Sequence, residues 1–96
     1  MRIRYTPRAF ADREAIFDYI EERSPKGALA IKQAIENSIK RLEDFPYSAT
    51  ATDAYDVREL IVPRRPYKVY YRVVEDEVWI VHIRHSARRP WLGERA

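Results

Sequence analysis

The chain has 96 residues, no cysteine, only two glycines (Gly27 and Gly93) and only two histidines (His82 and His85). Without cysteine there can be no disulfide, thiolate nucleophile or thiolate metal site, a composition that suits a reducing cytoplasm. Two isolated glycines cannot build a phosphate-cradling loop, which needs several so that backbone amides can approach the anion. No segment reaches the roughly 20 apolar residues that span a bilayer, and Met1-Arg-Ile-Arg-Tyr5 lacks the apolar stretch of a signal peptide. A cytoplasmic protein that does not enter the membrane is expected. His82 and His85 lie three apart on a predicted strand, so they point to opposite faces and cannot grip one ion. No metal and no cofactor are expected.

Nucleophilic and carboxylate chemistry are equally sparse. Ser86 follows His85 directly, but adjacent side chains on an extended chain diverge and no third orienting group stands out. Glu75, Asp76 and Glu77 crowd a predicted hairpin turn, where water is their natural partner.

What the chain does have is charge and aromatic residues: 34% charged, 46% hydrophobic and 12% aromatic. That composition belongs to a folded domain. At this length a single domain spanning 1–96 buries roughly two-thirds of its unfolded surface in one modest core. The net charge is +3 and the pI about 9.3, but the distribution says more. Acids gather in 9–22 and 43–59, whereas Arg64, Arg65, Lys68, Arg72, Arg84, Arg88, Arg89 and Arg95 concentrate positive charge toward the C-terminus.

Periodicity divides the chain. Residues 2–6 alternate as a short strand, and Thr6-Pro7 makes a helix entrance. From Pro7 to about Arg23, Ala9, Phe10, Ile16, Phe17 and Ile20 form one stripe, with Asp12, Glu14 and Asp18 on the solvated side. Ser24-Pro25 breaks this helix and starts a second, with Ser24 as its N-cap. Ala28, Ile31, Ala34, Ile35, Ile39 and Leu42 then recur at helical spacing. Phe45-Pro46 ends the helical hairpin, and 48–53 reads as an irregular connection. Strands follow at 56–62, 67–74 and 78–85, the last two joined by a turn at 75–77. The economical topology is an antiparallel meander. The expected fold is α+β, in the order β-α-α-β-β-β, with the helical hairpin packed on one face of a small antiparallel sheet. The segment 86–96 is a basic tail without periodicity.

The chemistry left standing is a cationic sheet face with interleaved aromatics. Lys68 and Arg72 share a face by even spacing, as do His82 and Arg84 on the next strand, so all four can cluster if the register aligns them. Such a cluster could hold phosphates or an acidic protein surface, and it could equally be the solvated side of a half-covered sheet. Tyr70 and Trp79 on the same strands fit either a binding face or packing.

Asp18-Tyr-Ile-Glu-Glu-Arg-Ser-Pro25, Val57-Arg-Glu-Leu60, Pro66-Tyr-Lys-Val-Tyr-Tyr-Arg-Val73 and His85-Ser-Ala-Arg-Arg-Pro-Trp91 occur in this order on these elements. With them the chain resembles the RelE/ParE superfamily of bacterial toxins from Met1 to about Trp91. The resemblance implies a type II toxin held inactive by a cognate antitoxin encoded beside it, in a toxin–antitoxin hetero-oligomer. The antitoxin's C-terminal segment would fold on binding across the hairpin, at Phe10, Phe17, Ile31 and Ile35. RelE-like members cut messenger RNA on the ribosome; here that would need Arg58, Lys68, Arg84 and Arg88 to converge. ParE-like members poison DNA gyrase without catalysis of their own. The nuclease pattern has closely spaced lysines where this chain has Leu60, Ile61 and Val62, and Trp91 stands where a tyrosine would be; indole has no titratable hydroxyl. Arg58-Glu-Leu60 and His85-x-x-Arg88 look more like the ParE-like branch. The favoured expectation is therefore a gyrase poison using Lys68, Arg72, His85, Arg88, Arg89 and Trp91 on its target. The alternatives are a ribosome-dependent endoribonuclease or a non-toxic protein-binding module. Arg13 departs from the family pattern, which is apolar at that helix position.

Overall fold

In the computed structural model residues 1–87 are described. The elements are β1 (Arg2–Tyr5), α1 (Pro7–Arg23), α2 (Pro25–Lys40), a 3-10 turn (Arg41–Glu43), β2 (Thr50–Ala51), β3 (Arg58–Ile61), β4 (Tyr67–Val74) and β5 (Glu77–His85). The five strands form one sheet in the order β1-β5-β4-β3-β2.

Thr6 makes the first corner. Its hydroxyl accepts from Ala9 N at 3.1 Å, and Pro7 occupies a first-turn position that needs no donor. At the other corner the predicted side-chain cap is not made: Ser24 begins α2 without a side-chain capping bond. Its backbone does the work, donating N–H to Ile20 O (2.8 Å) to close α1 and accepting from Gly27 and Ala28 to open α2. Ala9, Phe17, Ile20, Ala28, Ile35, Ile39 and Leu42 pack on Tyr67, Val69, Tyr71, Val78, Ile80 and Ile83 of the sheet. Phe10 was expected in this stripe but is 54% exposed. Ala9 already fills the sheet-facing position, and the next residue lies about 100° round the helix. Arg13 spans the helices: it bonds Glu14 (2.8 Å) and Glu36 of α2 (3.2 Å), with its guanidinium 4.7 Å from the Phe17 ring centroid.

The α+β architecture and the helical hairpin over one sheet face are as expected, but the sheet is mixed rather than antiparallel. β1 runs parallel to β5, pairing Arg2 with Glu77 and Tyr5 with Ile80, because α1 and α2 carry the chain back across the sheet before β3 begins. The segment expected to be irregular contains β2, which pairs Thr50 with Glu59 and Ala51 with Arg58. Beyond it, Thr52 organises the loop: its hydroxyl donates to Val57 O (2.9 Å) and its N–H bonds the same carbonyl (3.0 Å). Two residues, Glu75 and Asp76, make the final hairpin turn, with Glu75 at φ 55°, and Glu77 already belongs to β5.

Candidate functional site

The sheet face turned away from the helices depends on one irregularity. Val73 pairs with Val78 and Tyr71 with Ile80, but Tyr70 pairs with His82, so Val81 is an extra residue on β5. Before Val81, Val78 and Ile80 face the helices; after it, Ile83 does. The shift sends His82 and Arg84 to the opposite face, where Arg84 lies across from Lys68, His82 from Tyr70, and Trp79 from Arg72. The four predicted cationic positions, Lys68, Arg72, His82 and Arg84, therefore do share one face. They are not equally accessible. His82 is 6% exposed and Arg84 8%, whereas Arg72 is exposed and forms no ion pair among the described residues.

Carboxylates govern this face. Glu59 accepts from the Tyr70 hydroxyl at 2.9 Å and lies 3.8 Å from Lys68 Nζ. The Tyr70 ring stacks on His82 with centroids 5.9 Å apart. From α1, the Asp12 Oδ2 atom accepts from Ile83 N (3.1 Å) and meets His82 Nδ1 at 2.6 Å. An oxygen already accepting a backbone N–H acts as acceptor for the ring too, so Nδ1 is the protonated nitrogen. Burial pushes the His82 pKa below its usual value, partly opposed by Asp12, so the imidazole is neutral near pH 7. Neither Asp12 nor Glu59 was anticipated as part of the site. Glu59 shares even spacing with Ile61 and could have been placed on this face; Asp12 reads in sequence as one more acid on a solvated helix side.

Other predicted residues lie elsewhere. Arg58 pairs with Tyr71 on the helix-side face and donates to Ala49 O (2.8 Å) and Tyr47 O (3.3 Å), holding the loop after the 3-10 turn. It does not converge with Lys68 and Arg84, because successive strand residues alternate faces and Arg58 has the wrong spacing. His85 also lies on the helix side, its ring edge-on to Tyr67 at 5.4 Å, apart from Lys68 and Arg72. Phe17 and Ile35 are buried in the core, Ile31 is half-buried, and of the four predicted antitoxin contacts Phe10 alone is exposed. The helical spacing of Phe17, Ile31 and Ile35 reports their packing on the sheet. Arg88, Arg89 and Trp91 lie outside the described residues. His82 and His85 do point to opposite faces, and among the described residues no three metal-ligating side chains gather. No helix among those residues is long and apolar enough to cross a membrane.

A cavity of about 510 Å³ opens where α1 crosses the C-terminal half of β5, lined by Ala15, Ile16, Tyr19, Tyr67, Ile83 and His85, with Asp12 and Arg84 at its margin. Burial, with the Tyr19 hydroxyl nearby, raises the Tyr67 pKa.

A family model described as the ParE toxin of type II toxin-antitoxin system, parDE, matches residues 3–90. The chain belongs to the ParE toxin family. Among relatives of this ParE-family toxin, Toxin RelE2 of Caulobacter vibrioides is 40% identical over 87 residues, spanning 88% of this chain and 93% of the relative. Putative toxin Y4kP of Sinorhizobium fredii is 32% identical over 90 residues, spanning 94% and 92%. A solved chromosomal ParDE toxin–antitoxin system from P. aeruginosa superposes with a TM-score of 0.78 at 28% identity, covering 88% of this chain and 95% of that one. The E. coli RelBE complex shares the fold, with a TM-score of 0.67 at 12% identity over 92% of this chain and 98% of that one.

Proposed function

We propose that this toxin arrests growth by binding and poisoning DNA gyrase in the cytoplasm, without chemistry of its own, and that a cognate antitoxin neutralises it in a hetero-oligomer. The observation that carries the reading is the separation of the cations that RNA cleavage would need. Arg58 is committed to loop carbonyls on the helix side, while Lys68 on the other face is within reach of Glu59. Leu60, Ile61 and Val62 occupy the strand end where the nuclease pattern has lysines, with Val62 fully buried. A phosphate in flight during cleavage needs converging, preorganised cations; a docking surface does not. Arg72 and Lys68 are the described residues best placed to meet a target, joined in the proposal by Arg88, Arg89 and Trp91, while His85 belongs to a different surface.

A second reading, ribosome-dependent cleavage of messenger RNA, draws on the side-by-side placement of Lys68 and Arg84 and on the RelE name of the 40% identical relative. Titrating purified toxin into relaxed plasmid and the host's own gyrase separates the two. Lost supercoiling with trapped cleaved DNA is expected. No effect from folded protein in large excess would sink the gyrase reading. Cleavage of ribosome-bound messenger by wild type but not by Lys68→Ala would establish the alternative, and unchanged growth on induction would point to a non-toxic binding module.

A further inference from the structure

β5 has two edges, and one is only half used. β4 runs the length of one side, but β1 pairs with the other only as far as Ile80, after which Thr6 N bonds Ile80 O and the chain turns into α1. The pairing pattern fixes where the remaining backbone groups point. Tyr67 O accepts from Val62 and Pro66 O accepts from Ser86 (2.7 Å), so Tyr67 and His85 form a non-hydrogen-bonded pair and His85 N–H and C=O point outward. Ile83 points the same way, because its N–H is taken by Asp12. Asp12 thus stands in for a strand at one position. Among the described residues the Ile83 carbonyl and both His85 backbone groups have no strand to pair with. An unpaired edge on a central strand is a template for an added extended chain.

The cavity beside this edge supplies what a bare edge lacks, a side-chain pocket. Ala15, Ile16, Tyr67 and Ile83 line it together with Tyr19 and His85, and Asp12 and Arg84 complete the lining. The Asp12 carboxylate in this lining is taken by the Ile83 N–H and His82, which leaves the cations at this end of the sheet to face a partner. Arg23 stacks 4.3 Å from the Tyr19 ring centroid, and the turn carrying Arg64 and Arg65 abuts the end of β5 through the Ser86–Pro66 bond. A second copy of this chain would bring the same positive end against itself, whereas an acidic segment is attracted.

We propose that the outer edge of β5 at Ile83 and His85, with the pocket between α1 and β5, takes an extended segment of the antitoxin. One apolar side chain of that segment enters the pocket and neighbouring carboxylates face Arg23, Arg64 and Arg65. The proposal rests on the reading that an antitoxin neutralises this toxin. It moves the contact from the buried stripe of Phe17 and Ile35 to the mouth of a cavity at which Ala15 and Tyr19 are exposed and His85 is half-buried.

The test uses full-length toxin and the purified protein encoded beside it. Ala15 is exposed and lines the pocket, so Ala15→Phe fills the pocket from a helix surface; Ala30→Phe, at an exposed alanine of α2 that does not line the pocket, is the control. Ala15→Phe weakens the complex by about 30-fold or more, as loss of a central anchor does, and Ala30→Phe leaves it unchanged. Independently of any variant, the His85 amide of the wild-type toxin exchanges about tenfold or more slowly in the complex. Wild-type affinity in Ala15→Phe, or unaltered exchange at His85 in a formed complex, overturns this docking site while the antitoxin reading stands. Protection of His85 by toxin self-association alone also overturns it. Failure of folded wild-type toxin to bind the neighbouring protein at all overturns the antitoxin reading and the docking site together.

Discussion

Replacing Asp12 tests how α1 is fastened to the sheet. One oxygen of Asp12 accepts from a strand-edge amide and from a buried imidazole, 3.1 and 2.6 Å away, and Arg8 at 3.9 Å is a weak third partner. Hydrogen bonds to charged groups contribute about 1.5–3 kcal/mol each, and the abandoned donors keep their desolvation cost. The two bonds share one acceptor, and water in the adjacent cavity can reach the Ile83 amide, so the sum is discounted. Asp12→Ala is expected to cost about 3 kcal/mol. Asp12→Asn keeps an acceptor in place without the charge and is expected to cost about 1 kcal/mol. With a urea slope of about 1.2 kcal/mol/M, the alanine variant lowers the unfolding midpoint by about 2.5 M. Equilibrium unfolding followed by circular dichroism reads this directly, and exchange of the Ile83 amide should accelerate in parallel. An alanine variant within about 0.5 kcal/mol of wild type would refute the reasoning, because a mere surface carboxylate behaves that way.

The folded state holds His82 neutral, with Asp12, Arg8 and Arg84 around it and its pKa below the ordinary 6.5. That contribution is complete above pH 6.5 and falls away as acid protonates the unfolded chain preferentially, so urea midpoints should drop below pH 6.5 and do so less in His82→Gln. Burial raises the pKa values of Tyr5, Tyr67 and Tyr71, whose contributions hold below pH 10 and are lost above it, giving a second decline on the alkaline side. Gly27→Ala is expected to raise stability by up to about 1 kcal/mol; the new methyl would meet the Ser24 hydroxyl at 3.0 Å and its Cβ at 3.9 Å, and that hydroxyl makes no capping bond and can turn aside. A double-mutant cycle on Arg13 and Glu36 should return about 0.5 kcal/mol, the scale of a half-exposed ion pair, and a value near 3 would mean the clip holds the hairpin together.

The helical hairpin was legible because α2 repeats its apolar residues at three and four, and because Thr6-Pro7 and Ser24-Pro25 mark both helix starts chemically. β4 and β5 were legible from their aromatic and β-branched content. β1 was visible as a strand but not as a parallel neighbour of β5, since a four-residue strand carries no information about which edge it joins. β2 was hidden in a run of alanine, serine and threonine that gives no period. For the site, even spacing placed Lys68 and Arg72 together but could not tell that Arg84 would be buried. Val78, Ile80 and Ile83 do carry a trace of the irregularity in β5, two apolar steps of two and then three. Asp12 and His82 stand 70 residues apart, and only the crossing of α1 over β5 brings them into contact.

Val81 has a consequence for how this family member can change over time. Because it is the one unmatched residue in an otherwise regular ladder, deleting it would leave a plain ladder in which Tyr70 still meets His82 and Ile83 still faces the helices. The C-terminal half of β5 therefore holds one residue of slack: a one-residue deletion at Val81 should leave both faces of the strand as they are, whereas flattening the bulge without losing a residue, so that Val81 itself paired with Tyr70, would turn His82 and Arg84 under the helices.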